Sequence, residues 1–326
     1  MSKVLITGGA GYIGSVLVPK VLAAGFEVRV LDLMLFGNRG LESVRGKCEV
    51  FSGEIRDSKL VERCLEDVEA VIHLASVAND PCADLDPKLT EAVNFQATID
   101  LARKAKEKGV GRFIYSSTGS VYGVKKELNI TEESSTNPIT VYAKTKAESE
   151  KIVIAYNDNN FTTVALRPAT TGGYSPRMRL DLVVNILTNQ AVNTGKLIVH
   201  GGEQMRPSID IQDITDYYVH LLNAPKEKIG GQVFNASCDN YKVMEIAETV
   251  RDVVGKHVEL EVSETRDLRS YPMVSEKITR VLGLKPQRTL ADTVGGLKYA
   301  FETGKIPNPE NSIYRNIETM KKLMVR

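Results

Sequence analysis

The chain has 326 residues, 42% of them hydrophobic, with 42 Lys and Arg against 41 Asp and Glu for a formal charge of +1. That length supports a large core, in two domains or in one with an added lobe, and the balanced charge gives no reason to expect general binding to nucleic acid or to an anionic membrane. No apolar run reaches about 18 residues, MSKVLITGGAGYIG lacks the marks of a signal peptide, and the cysteines and histidines are too scattered for a disulfide framework or a zinc site, so a soluble cytoplasmic protein without a metal is expected.

The first half alternates β-rich runs with helical patterns. VLIT is followed by YIGSVLVPKVLAAG and EVRVLD, then CEVFSG by SKLVERCLED, then EAVIHLA by KLTEAVNFQATIDLARKAKEKG. RFIYSS, a helix holding Tyr142 and the run TTVALR come next. Apolar strands separated by amphipathic helices of this length predict an α/β fold with a parallel sheet covered on both faces. Gly25 and Gly109 stand where helix C-caps are expected. After Arg167 the segment PATTGGYSPRMR is rich in Pro, Gly and Arg and has no clean period. It marks a transition from a domain over 1–170 to a smaller α/β substrate-binding lobe over 171–326. That lobe reads as a helix around Leu182 to Thr194, a loop HGGEQMRPS, a helix from about Asp213, a strand GQVFNAS and a helix VMEIAETVRDVV.

Directly after the first strand, TGGAGYIG (Thr7 to Gly14) opens onto a helix. It fits G-x-x-G-x-x-G through Gly8, Gly11 and Gly14, and G-x-G-x-x-G through Gly9, Gly11 and Gly14. Glycines serve where the chain turns tightly and where backbone must approach a pyrophosphate, whose charge then sits at the helix N-terminus. An acid, Asp32, closes the second strand about 20 residues on, which completes a Rossmann-like, doubly wound dinucleotide site. Gly8, Gly11, Tyr12, Ile13, Gly14 and Asp32 are its expected cofactor contacts. A carboxylate at Asp32 would accept ribose hydroxyls and repel a 2′-phosphate, and the following LML offers no arginine, so NAD is favoured over NADP. Cys48 and Cys64 read as small buried apolar residues, and Met34 as surface or core filler.

Tyr142 and Lys146 lie four apart in TVYAKTKAESE and so share one helix face. A neighbouring ammonium favours a phenolate, which would bring the tyrosine towards the range of a useful base. The spacing is common by chance, and the cofactor site elsewhere in the chain is what turns it into a catalytic candidate. His73, inside a buried strand, reads as a satisfied core histidine, and Ser116 and Ser117 as strand-end hydroxyls bonded to backbone.

In order along the chain stand TGGAGYIG, GEIRD, VIHLAS, VNFQAT, YSSTGSVYG, VYAKTKAESE, RPSIDIQDI and DLRSY. With these the chain resembles an extended short-chain dehydrogenase/reductase of the nucleotide-sugar epimerase/dehydratase family over essentially its whole length. The resemblance implies that Tyr142 is the general base, that Lys146 holds the nicotinamide ribose and lowers the tyrosine pKa, and that Thr118 contacts the reacting sugar oxygen. It places Glu54 and Ile55 beside the adenine, although the family usually has Asp at the first of these. Ala75 and Ser76 would line the cofactor cleft, with Asn94 supporting the active-site backbone from a helix. Of the loop arginines Arg177, Arg179, Arg206 and Arg269, the resemblance assigns Arg206 and Arg269 to the diphosphate of a nucleotide sugar. In SPRMRLDLVVN it makes Arg179, Asp181 and Asn185 candidate sugar or nucleotide contacts. It also implies a homodimer through the helices around 88–108 and 141–157.

Two departures bear on the reaction. The family's 4,6-dehydratases usually show Thr-Asp-Glu where this chain has Thr118, Gly119 and Ser120, which argues against elimination of water. Epimerases acting on UDP-galactose commonly place Asn where this chain has Thr170. The leading expectation is an NAD-dependent nucleotide-sugar epimerase acting at C4 through a 4-keto intermediate. The alternatives are a C4 dehydrogenase of a nucleotide-activated hexose or heptose, and a catalytically silent NAD-binding regulatory protein.

Overall fold

In the computed structural model, which describes residues 2–125, 127–265 and 270–324, the apolar runs of the first half become six parallel strands. These are β1 (Lys3–Thr7), β2 (Glu27–Asp32), β3 (Glu49–Ser52), β4 (Ala70–His73), β5 (Arg112–Ser116) and β6 (Thr162–Pro168). Helices α1 (Gly14–Ala23), α2 (Ser58–Cys64), α3 (Asp80–Ala83), α4 (Pro87–Glu91), α5 (Ala97–Glu107) and α6 (Val141–Ala155) lie between them. Val4, Leu5, Ile6, Val71 and Ile72 are all fully buried because crossover helices cover both faces of a parallel sheet. Gly25 and Gly109 follow α1 and α5 at φ 88° and 77°, a region glycine reaches without strain. The helix expected over KLTEAVNFQATIDLARKAKEKG is α4 and α5 joined by one π-helical turn, Ala92–Gln96.

Beyond residue 170 come β7 (Thr170–Gly172), α7 (Val183–Thr194), β8 (Lys196–His200), β9 (Met205–Asp210), α8 (Ile211–Asn223), α9 (Lys226–Ile229) and β10 (Gln232–Ala236). The chain continues through β11 (Asp239–Lys242), α10 (Val243–Val254), β12 (Glu259–Ser263), α11 (Glu276–Leu282), α12 (Leu290–Glu302) and α13 (Asn316–Met324). Strand β10 returns to pair in parallel with β6, giving a seven-stranded sheet in the order β10-β6-β5-β4-β1-β2-β3. Helix α8 packs on α1, where Lys20 donates to the Gln212 carbonyl (2.8 Å) and pairs with Asp216 (2.6 Å). The chain after residue 170 therefore completes the nucleotide sheet as well as building a lobe of its own. A second core joins α7, α10 and α12 through Val184, Leu187, Ile246, Val250, Val294 and Leu297.

HGGEQMRPS, expected as a loop, is strand from Met205 onward. Strand β9 lies between β7 and β11, and five of its six residues are buried. Gly and Pro read as breakers, yet burial of Arg206, Ser208 and Ile209 against neighbouring elements overrides that local signal. Among the described residues, no helix is long and apolar enough to cross a membrane.

One buried ion pair fixes α6 to the sheet. Arg167, near the end of β6, forks onto Glu150 of α6 with Nε–Oε2 at 3.0 Å and Nη2–Oε1 at 2.6 Å, and donates from Nη1 to the Tyr122 hydroxyl at 2.7 Å. Both side chains are 7% exposed. Glu150→Ala is expected to destabilise the fold by about 3–5 kcal/mol, because it strands a buried guanidinium. A urea midpoint close to that of the wild type would contradict it.

Candidate active site

The strand order reverses between β1 and β4, and the carboxyl ends of the strands open there into a cleft of about 1010 Å³ lined by both lobes. The glycine loop after β1 forms one wall. A Cβ on Gly8 would stand 2.8 Å from the Ala75 nitrogen, and one on Gly14 would overlap the Gly8 carbonyl, so side chains at these positions would disrupt the loop. No side chain caps the amino end of α1, where the N–H groups of Ser15 and Val16 donate to the Gly11 (2.9 Å) and Ile13 (3.1 Å) carbonyls, so that its positive end faces the loop that an anion would occupy. Asp32 is anchored at the end of β2: Ala10 N donates to Oδ2 (2.9 Å) and Met34 N to Oδ1 (2.8 Å). Burial raises its pKa above the ordinary carboxylate value, opposed by these two N–H groups and by the Arg177 charge.

Gly11, Tyr12, Ile13, Glu54, Ile55, Ala75 and Ser76 also line the cleft. Met34, at φ 56°, packs against the core, as does the half-buried Cys48, while Cys64 is fully buried. These residues fit a dinucleotide: a tight glycine loop, an uncapped helix end and an anchored carboxylate in sequence along one wall. Asn94 is placed differently from the rest of the expected cofactor set. It is 1% exposed, does not line the cleft, and both ends of its amide bind the Val77 backbone, at 2.7 and 3.0 Å. Its role is support, and the π-helical turn is what carries it.

Thr118, Tyr142 and Lys146 all line the cleft. Thr118 Oγ1 accepts from Ser120 N (3.2 Å), and its hydroxyl is near enough to the Tyr142 phenol to lower the phenol's pKa. Helix α6 starts at a Thr140 cap, whose hydroxyl accepts from Ala143 N (3.1 Å) and donates to Asp80 (2.5 Å). Loss of water in the cleft pushes the Tyr142 phenol up to about 12, and Asp80 adds to this while the Thr118 hydroxyl and Arg179 oppose it. Burial pushes Lys146 down to about 7, against the pull of Glu150. The expected lowering of the tyrosine pKa by Lys146 is thus not what the protein groups produce. The ammonium lies on the Tyr115 ring, 4.5 Å from its centroid, and desolvation outweighs charge at both groups.

His73 is a buried histidine with both ring nitrogens partnered, by Thr7 (2.7 Å) and Thr98 (2.9 Å), and burial pushes its pKa down to about 3. Ser116 differs from the expected backbone-bonded hydroxyl: Tyr218 of α8 donates to it at 2.7 Å. The buried Ser117 hydroxyl, expected to bond to backbone, has no hydrogen-bond partner among the described residues; it is the Ser117 N–H that donates to the Leu166 carbonyl (2.8 Å).

Arg179 forks onto Asp181 at 2.9 and 3.2 Å, and both face the cleft. Asp181 also accepts from Asn79 Nδ2 and from Asn316 N, each at 3.2 Å, so it fixes Arg179 in place. Asn185 does not reach the cleft. It is fully buried, donates to the Tyr12 hydroxyl (3.1 Å) and the Arg179 carbonyl (2.8 Å), and accepts from Gly173 N (3.0 Å), which makes it a splice between lobes. Arg206 lines the cleft from β9. Arg269 lies outside the described residues.

Asp80 and Asn316 also line the cleft and stand outside the set expected from the sequence. Asp80 follows Asn79, which caps α3 by accepting from Cys82 N (3.0 Å) and adopts φ 75°. Asn-Asp-Pro is a legible helix start, but nothing local shows that it faces Tyr142. A side chain at Gly119 would fit tightly: a Cβ there would sit 3.2 Å from Met273 Sδ, the Pro168 carbonyl and the Tyr271 ring.

A family model described as the NAD dependent epimerase/dehydratase family matches residues 4–237. The UDP-glucose 4-epimerase of Lactobacillus helveticus is 30% identical over 313 residues, covering 90% of this chain and 94% of that one. Among solved structures, the UDP-glucose 4-epimerase of Thermotoga maritima with UDP-glucose superposes with a TM-score of 0.84 at 25% identity, covering 92% of this chain and 99% of that one. DesIV, a dTDP-glucose 4,6-dehydratase from Streptomyces venezuelae solved with NAD bound, also gives a TM-score of 0.84 at 25% identity, covering 95% and 100%.

Proposed function

The chain belongs to the NAD dependent epimerase/dehydratase family, with NAD as its cofactor, and from that premise we propose that it epimerises a nucleotide-diphosphate sugar at C4 through a 4-keto intermediate. The observation that carries this reading is that Thr118, Tyr142 and Lys146 line one cleft, with Gly119 and Ser120 following Thr118 where a dehydratase would carry acids. Epimerase and dehydratase structures superpose on the chain equally well, so the residues after Thr118 separate the two reactions.

NAD, when bound, supplies a reversible hydride acceptor. The glycine loop and Asp32 would hold its pyrophosphate and adenosine ribose, and Lys146 its nicotinamide ribose. Tyr142 takes the proton from the C4 hydroxyl of the sugar, and Thr118 holds that oxygen as it becomes a carbonyl. For epimerisation the keto sugar must turn over before Tyr142 returns the proton. Arg179, fixed by Asp181, together with Arg206 would hold the sugar's diphosphate while it does.

The test is to offer UDP- and GDP-linked hexoses and heptoses and to follow sugar stereochemistry and NADH absorbance over many turnovers. Interconversion of C4 epimers without net NADH supports epimerisation. Stoichiometric keto sugar with NADH would show the C4 dehydrogenase instead. We also infer a homodimer through α4, α5, the π-helical turn between them and α6, on which Phe95 and Ile152 stand partly exposed. A monomeric mass in sedimentation velocity would contradict that.

A further inference from the structure

The segment from Gly173 to Arg177 is stitched onto the start of α1. The Tyr12 hydroxyl donates to the Gly173 carbonyl (2.7 Å), and Ser175 Oγ donates to the Tyr12 carbonyl (2.7 Å). Ser175 also shares a 2.7 Å bond with Ser15 Oγ, and Arg177 N reaches that same oxygen at 3.4 Å. These contacts bring an arginine from the substrate lobe to the uncapped amino end of α1, more than a hundred residues away in sequence.

The guanidinium of Arg177 is buried, with the residue 5% exposed, yet poorly satisfied. It lies 3.7 Å from the centre of the Phe36 ring. Nη2 donates to Asn316 Oδ1 at 2.5 Å, Nη1 reaches only the Met178 carbonyl at 3.5 Å, and Nε has no hydrogen-bond partner among the described residues. Asn316 is neutral, and the two carboxylates whose charges act on Arg177 are engaged elsewhere, Asp181 by the Arg179 fork and Asp32 by the backbone of Ala10 and Met34. Burial and the Arg179 charge push the Arg177 pKa down to about 9. A buried cation whose Nε is unpartnered and whose Nη1 makes only one long bond is costly until an anion meets it.

We propose that Arg177 is a ligand of the NAD diphosphate, the cationic half of a clamp whose other half is the glycine loop and the amino end of α1. A guanidinium fork matches phosphate oxygens in two bonds, and Asn316 acts as a positioning residue that aims the fork. A nucleotide sugar carries a diphosphate as well. Arg177 serves the cofactor because its backbone is bonded to Ser15 of α1, its guanidinium lies on Phe36, and Asp32 acts on it along with Arg179 and Asp181, whereas Arg179 also acts on Tyr142. This assignment goes beyond the proposed reaction and holds whichever sugar is used.

Calorimetric titration of NAD, ADP, adenosine and UDP into the wild-type chain, Arg177→Gln, Arg177→Lys and Asn316→Ala tests it. Arg177→Gln is expected to weaken NAD and ADP by about 10- to 100-fold while adenosine and UDP stay within about twofold. Arg177→Lys should recover part of the loss, and Asn316→Ala should fall between wild type and Arg177→Gln. Unchanged ADP affinity in Arg177→Gln would overturn the proposal. So would an equal loss of adenosine, which would mark Arg177 as pocket support, or a loss of UDP in place of ADP, which would assign it to the sugar's diphosphate. If Arg177→Gln loses its native circular dichroism, Asn316→Ala decides, and an unchanged ADP affinity there overturns the proposal.

Discussion

Tyr142→Phe is expected to lower turnover by about 100- to 10,000-fold while leaving NAD binding and thermal stability unchanged. The substitution removes one oxygen and keeps the ring between Thr118 and the cleft wall. In the wild-type chain that oxygen is a phenol held up to about 12, and the reactive form is the phenolate. Turnover should therefore climb with pH above neutrality, because each rise populates more of the base. In Tyr142→Phe that climb should vanish along with the rate. Wild-type turnover in the variant, or an unaltered pH profile, would remove Tyr142 from the role of base.

Lys146→Met is expected to cost at least about 100-fold in turnover and to weaken NAD, yet to raise the melting temperature near pH 6. The sign follows from the pKa. Lys146 falls from 10.5 to about 7 on folding, so below pH 7 the folded chain bears the full cost of a buried ammonium. Between about 7 and 10.5 the unfolded chain binds the extra proton, and wild-type stability rises with pH across that window. Methionine has a similar length and no charge, so its advantage at about pH 6 should shrink by about pH 9. Melting curves of both proteins at the two pH values measure this. A variant less stable than the wild type at the lower pH, or a difference that ignores pH, would contradict a buried ammonium at Lys146.

The parts of the site read most directly from the sequence are those in which local conformation and chemistry coincide. Gly8 and Gly14 are required by atoms a few residues away or on the adjacent strand, and Asp32 sits at the end of a strand whose apolar pattern already locates it. Tyr142 and Lys146 share a helix face by spacing alone. Amides divided: Asn94 binds the Val77 backbone, the support expected of it, whereas Asn185 looks like a ligand in its motif and instead binds Tyr12, Arg179 and Gly173. Whether an amide meets solvent or backbone is decided by tertiary packing. The same holds for Arg177, which reaches α1 only through contacts made across the two lobes, and for β10, whose place beside β6 no local pattern announces. The tyrosine pKa ran against expectation because helical spacing reveals which charge is near and says nothing about how much water is lost.

The most direct test of C4 epimerisation is to follow a nucleotide sugar carrying deuterium at C4 by nuclear magnetic resonance, alongside NADH absorbance. Hydride removal and return within one cleft predicts a C4 epimer that keeps its deuterium, with no solvent hydrogen at that carbon and no accumulation of NADH. Deuterium released into free reduced cofactor, with one equivalent of 4-keto sugar formed for each, would contradict it.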